Sequence, residues 1–148
     1  MRTKPNSQII GNSGVFYACY RLSLENWHVL PTTRNARGAD IFIVKGERML
    51  GLEVKTLSAR DNICIGHTPL DYSIDYWVIL MNIWYKKEEE KPDLYIISKG
   101  AMKIEIERCN LDNRGKGLLK LYPDGYWIQK KFLLSEVHEY SKDWSGLE

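Results

Sequence analysis

Cysteine is scarce in this chain of 148 residues, and it has neither a long apolar run nor an excess of one charge. The three cysteines, Cys19, Cys64 and Cys109, cannot form a paired framework. That argues against a disulfide-stapled secreted fold and for a reducing, cytoplasmic home. No apolar stretch approaches the roughly 20 residues of a membrane helix, and the best, Tyr76 to Tyr85, is about half of that. No membrane partner is therefore expected. The opening Met1-Arg2-Thr3-Lys4-Pro5-Asn6 leads into no signal-peptide core. A net charge of +2 does not by itself mark a nucleic-acid binder. The cysteines are evenly spaced, but their sequence contexts share nothing, so there is no repeat. What is present is ordinary for one globular domain: 44% apolar and 27% charged residues. The expected domain is 1–146, with Leu147-Glu148 read as a tag remnant and left out of fold reasoning.

Residues 7–26 read as a helix, because Val15, Ala18, Cys19 and Leu22 recur at helical spacing among polar residues. Asn12 or Ser13 could cap its start, and Asn26 suits a left-handed end. Trp27 to Leu30 is a short strand stopped by Pro31. The segments 40–45 and 49–56 are two strands joined by Lys45-Gly46-Glu47-Arg48, a four-residue hairpin loop. Residues 57–74 form a long connection of the kind that is usually functional. The near-continuous apolar runs 75–83 and 93–97 suit buried central strands. Ser98 could cap a helix over 99–107, although Ile104 and Ile106 alternate with Glu105 and Glu107 as in a strand. Residues 110–125 look like a loop, 126–128 a short strand and 132–142 a terminal helix. This order predicts an α/β class, α+β in detail: a helix followed by a mixed β-sheet with flanking helices.

The chemistry lies in the hairpin. If Val44 pairs with Met49, then Ile41 faces Leu52 and Ile43 faces Leu50, which makes one aliphatic face. The period of two puts Asp40 across from Glu53 on the other face, with Lys55 beside Glu53. Opposed carboxylates repel unless something offsets them. Mg²⁺ or Mn²⁺ would do so, since such ions are held by one or two carboxylates plus water and phosphate. Solvated ion pairs on a surface hairpin are the plainer alternative. Against it, Glu53-Val54-Lys55 interrupts a core-forming pattern, and buried charges must be paired or hold a metal. A slip of two residues would instead pair Asp40 with Lys55.

Gly38-Ala39-Asp40, then twelve residues, then Glu53-Val54-Lys55, resembles the PD-(D/E)xK phosphodiesterase motif of restriction-endonuclease-like nucleases. The preceding helix and strand fall where that fold puts them, and Thr33 to Asp40 resembles small resolvase-like members. The likeness covers residues 9–98, a nuclease-like core, and leaves 99–146 as a C-terminal elaboration. It implies that Asp40 and Glu53 ligate Mg²⁺ or Mn²⁺, with the Val54 carbonyl as third ligand. It also implies that Lys55 acts on the attacking water or on phosphoryl charge. Two residues depart from the pattern. Ala39 replaces the proline before the first Asp, and Val15 stands where many members carry a helix Glu. The second departure leaves room for a weaker, one-metal or inactive enzyme.

Arg34, Asn35, Arg37 and Arg60 are candidate nucleic-acid contacts. From Thr33 to Arg60 six basic residues stand against three acidic ones, and from Lys99 to Lys131 eight stand against four. Cys64 and His67 have a zinc-like spacing but no second matched pair, so no zinc site is expected. The aromatics Tyr72, Tyr76, Trp77, Trp84 and Tyr85 suit sheet packing better than base stacking. The expected activity is a Mg²⁺-dependent endonuclease, with DNA favoured over RNA. Because paired cuts need two sites, a homodimer is compatible with it. The alternatives are a catalytically degenerate nucleic-acid-binding module of the same fold, or a scaffold domain.

Overall fold

The computed structural model describes residues 2–33, 38–135, 140 and 142–147. Helix α1, Ser7–Leu24, starts where the Asn6 side chain accepts a hydrogen bond from the Ile9 amide. The cap is thus Asn6. Asn12 and Ser13 lie inside the helix, where the Ser13 hydroxyl donates to the Ile10 carbonyl. Asn26 takes the expected left-handed conformation, with φ of 70°. Strands β1 (His28–Pro31), β2 (Ile41–Lys45) and β3 (Arg48–Thr56) follow as an antiparallel meander. The register is the one the hydrophobic pattern dictates, with Ile41 opposite Leu52 and Val44 opposite Met49. The hairpin loop is shorter than expected. Lys45 pairs with Arg48, which leaves Gly46-Glu47 as a two-residue turn with φ of 61° at Gly46.

Strand β5 (Tyr76–Met81) lies parallel to β3, and β6 (Asp93–Ser98) returns antiparallel beside it. The result is a mixed five-stranded sheet in the order β1-β2-β3-β5-β6. Both its faces are covered, which explains the unbroken apolar run of β5. Val78 and Leu80 face α1 and the segment around Trp144, while Trp77, Ile79 and Met81 face the other layer. That other layer contains helix α2 (Lys99–Leu111) and a second sheet of β4 (Ile63–Gly66), β8 (Gly125–Ile128) and β7 (Leu119–Tyr122), in the order β4-β8-β7.

The second sheet is where sequence reading fell short. Its strand β4 (Ile63–Gly66) lies inside the connection expected to be irregular, and β7 (Leu119–Tyr122) inside the expected loop. Both have only four residues, too few to show a period, and both exist by pairing with β8 (Gly125–Ile128). Helix α2 is capped by Ser98 as expected, and the strand alternative for 104–107 is wrong. Ile104 is exposed, whereas Glu105 is buried and accepts a hydrogen bond from the Leu118 amide. The terminal helix over 132–142 is not formed as expected. Helix α3 covers only Lys130–Leu133, followed by a 3-10 turn at Trp144–Gly146. Residues 136–139 and 141 lie outside the described residues. Leu147, set aside above as part of a tag remnant, is 1% exposed and belongs to the α1-side core. Among the described residues no helix is long and apolar enough to cross a membrane.

Candidate active site

Pairing of β2 with β3 ends at Ile41 and Leu52, while β3 runs on to Thr56. Asp40 sits at the point where the two strands part. Its amide donates to the Leu52 carbonyl (2.8 Å), and its own carbonyl accepts from the Thr32 amide (2.8 Å). Its carboxylate Oδ2 accepts from the Val54 amide at 2.8 Å, taking the place a β2 carbonyl would otherwise fill. The Thr32 hydroxyl also donates to the Ala39 carbonyl. Asp40 is therefore held from both neighbouring strands and through its side chain.

Glu53 and Lys55 flank Val54 on the opposite face of β3 from the α1-side core. Lys55 Nζ lies 3.0 Å from Glu53 Oε1, and the two side chains are 33% and 23% exposed. The expected repulsion between Asp40 and Glu53 is thus offset within the chain, by the Val54 amide on one side and the Lys55 ammonium on the other. Asp40 meets the Glu53-Val54-Lys55 segment through the backbone between the two charged residues. The feared register slip does not occur.

Removing the Asp40 carboxylate should expose this dependence. Asp40→Ala leaves the Val54 amide without its acceptor, and with water able to reach the half-buried site the cost should be about 1 kcal/mol. Asp40→Asn retains an acceptor oxygen and should unfold in denaturant close to wild type. Equal losses for both variants would remove the hydrogen bond from the account.

On the α1 side, Asp40 lines a cleft of about 300 Å³ with Asn12, Val15, Phe16, Pro31 and Thr32. Helix α1 comes this close because Gly14 has no side chain. A Cβ there would stand 2.6 Å from Thr56 Cβ and 2.7 Å from its Cγ2. Val15 lines the same cleft as Asp40 and adds no carboxylate to it. Comparison with known proteins finds no family model and no curated protein that matches this chain.

Residues that sequence reading missed hold the site from the loop before β5. Ser73 Oγ accepts from the Ala39 amide (3.2 Å), next to Asp40. Ser73 is fixed in turn by Asp71, whose Oδ1 accepts from its amide (2.8 Å) and its hydroxyl (2.7 Å). Lys99 Nζ donates to the Asp71 carbonyl at 2.9 Å. The available signal was Asp71-Tyr72-Ser73 itself, a short polar pattern that favours side-chain-to-backbone turns.

The hydrogen bonds from Ser73 hold the Asp71 carboxyl below its ordinary pKa. A depressed folded pKa contributes stability that is present above the unfolded value and lost as pH falls through the folded one. The melting-temperature gap between wild type and Asp71→Asn should therefore be steady near neutrality and close below about pH 4. A gap that widens on acidification would contradict this sign.

The other candidate contacts fare differently. Arg34, Asn35 and Arg37 lie outside the described residues. Arg60 is exposed but engaged: its Nε and Nη2 donate to the two carboxylate oxygens of Asp93. It serves as a clamp between the end of β3 and the start of β6. Part of the C-terminal basic excess is likewise engaged internally. Arg108 pairs with Glu105, and Arg114 holds the Asp112 carboxyl down to about 2. Of the aromatics, Trp77 is fully buried, as packing requires, while Tyr72 is exposed. Among the described residues no group of three or more His, Cys, Asp or Glu side chains gathers for a metal ion. The donors at the site are two carboxylates, hard oxygen ligands of the kind Mg²⁺ and Mn²⁺ take with water completing the shell. Their chemistry suits such an ion, but Asp40 lines the α1-side cleft whereas Glu53 stands on the other face of β3.

Proposed function

We propose that the protein is a metal-dependent nucleic-acid phosphodiesterase of the PD-(D/E)xK type, acting on DNA. The observation that carries this reading is the hydrogen bond from the Val54 amide to Asp40 at the parting of β2 and β3. It joins the two halves of the motif, which the sequence separates by twelve residues. Asp40 and Glu53 would hold Mg²⁺ or Mn²⁺, whose chemistry is to make water more acidic and to offset charge on phosphoryl oxygens. Lys55, already charge-paired with Glu53, would orient the attacking water or stabilise the developing phosphoryl charge. Asp40 needs little reorganisation, since three backbone bonds fix it before substrate arrives. Two copies acting together would cut both strands of a duplex.

A second reading, a nucleic-acid-binding module without turnover, is favoured by Val15 lining the Asp40 cleft. One experiment separates them. Plasmid, linear, single-stranded and branched DNA, and RNA, are incubated with Mg²⁺, Mn²⁺ or chelator. Metal-dependent cleavage supports the nuclease, and binding without cleavage under every condition supports the module.

A further inference from the structure

On the far side of α1 from Asn12, a cleft of about 470 Å³ opens between the helix, the start of β6 and the C-terminal segment. Three cations line it: Arg21 from α1, Lys91 before β6, and Lys142. None of them has a carboxylate within 4.0 Å among the described residues. Two acidic residues on the wall, Asp93 and Asp143, offset part of this charge. Asp93 turns both oxygens to Arg60, and Asp143 accepts a hydrogen bond from the Ser145 amide. Three cations against two carboxylates, one of them paired with Arg60, leave the cleft a net positive charge that attracts an anion. Arg21 Nε adds a chemical demand: it is buried and has no hydrogen-bond partner. Buried donors of this kind normally have partners.

The remaining wall is aromatic. Tyr17 and Trp144 stand with ring centroids 6.3 Å apart, and Tyr95 lies under the Lys142 ammonium at 5.8 Å. Burial raises the Tyr17 and Tyr95 hydroxyls above their ordinary pKa, so both stay protonated and able to donate. The volume lies in the range of small-molecule sites, about 300–1,000 Å³, and exceeds what a bare phosphate fills. Three cations set among aromatic side chains, in a cleft larger than a bare phosphate, match a phosphate joined to a planar ring. We propose that this cleft binds a small phosphate-bearing ligand of the nucleotide class, at a site separate from Asp40. The proposal does not depend on catalysis at Asp40.

The test is calorimetric titration of the full chain with AMP, adenosine and inorganic phosphate, in chelator so that no metal site contributes. AMP should bind saturably, with adenosine and phosphate each weaker by about tenfold or more. Arg21→Gln and Lys142→Gln should each lower AMP affinity by about tenfold. Because Arg21 is half-buried, the exposed Lys142 variant decides if Arg21→Gln does not fold. Asp40→Asn should bind AMP as wild type does. The proposal is overturned if AMP shows no saturable binding in the millimolar range, or if Lys142→Gln binds it unchanged. Phosphate binding as tightly as AMP would overturn the nucleotide class, and loss of binding in Asp40→Asn would overturn the separate site.

Discussion

Replacing Lys55 by alanine should cut cleavage by roughly two to three orders of magnitude while leaving substrate affinity within about a few-fold. The size follows from removing one preorganised charge from a site where, under the proposed function, phosphoryl charge would develop. The geometry adds a constraint on how the result is read. Lys55 also neutralises Glu53 at 3.0 Å, so its loss leaves a carboxylate with one counter-charge fewer. Because both side chains are partly exposed, the pair should contribute only about 0–1 kcal/mol to folding, and the variant should melt near wild type. A catalytic defect without a stability defect is the expected signature. Single-turnover rates with saturating enzyme isolate the chemical step, and Lys55→Arg tests whether charge alone suffices. Cleavage by Lys55→Ala within about tenfold of wild type would end the assignment of Lys55 to the chemistry.

Gly51→Ala should be among the most damaging single-methyl changes, costing about 3 kcal/mol and lowering the melting temperature by roughly 6–12 °C. A Cβ at Gly51 would collide with the backbone carbonyl of Ser73, an obstacle that no rotamer change removes. The two segments are laced together there. The Gly51 amide donates to Asp75 Oδ2 at 2.8 Å, and the Asp75 amide donates to the Gly51 carbonyl at 2.8 Å. Displacing this loop would move Ser73 and with it the Ala39 amide, so cleavage should fall further than stability alone explains. Gly100→Ala is the matched control. Open space surrounds Gly100 at the start of α2, and alanine there should be neutral or slightly stabilising. Thermal melts of the two variants check the stability arm, and cleavage measured well below both melting temperatures checks the other. A Gly51→Ala protein as stable as the Gly100→Ala control would show that the loop yields.

Legibility in the sequence followed burial. The β2–β3 register was readable because one face is wholly aliphatic, and a one-residue slip would turn Ile41, Ile43 and Leu52 away from that face. The α2 segment misled because Ile104 and Ile106 alternate with Glu105 and Glu107, a strand-like pattern on a helix. There Glu105 is the buried member, held by the Leu118 amide and the Arg108 guanidinium, so a polar residue occupies a core position. The small sheet was invisible for a different reason. Four-residue strands carry too little pattern, and the pairing of β4 with β8 joins residues sixty or more positions apart.

The sequence by itself determined the α+β class, the register of the hairpin, and the presence of Asp40, Glu53 and Lys55 at one end of it. Those properties depend on local periodicity and on which side chains water excludes, and both are written in residue order. Only the tertiary structure decided how the charges are accommodated. The Val54 amide meets Asp40 because β2 stops at Ile41 while β3 continues, and Ser73 reaches the Ala39 amide because Gly51 lets its loop cross β3 closely. It also decided that Arg60 closes on Asp93 and that Leu147 completes the α1-side core. Each depends on segments far apart in the chain meeting in a packed interior, where position is set by close contact and not by local preference.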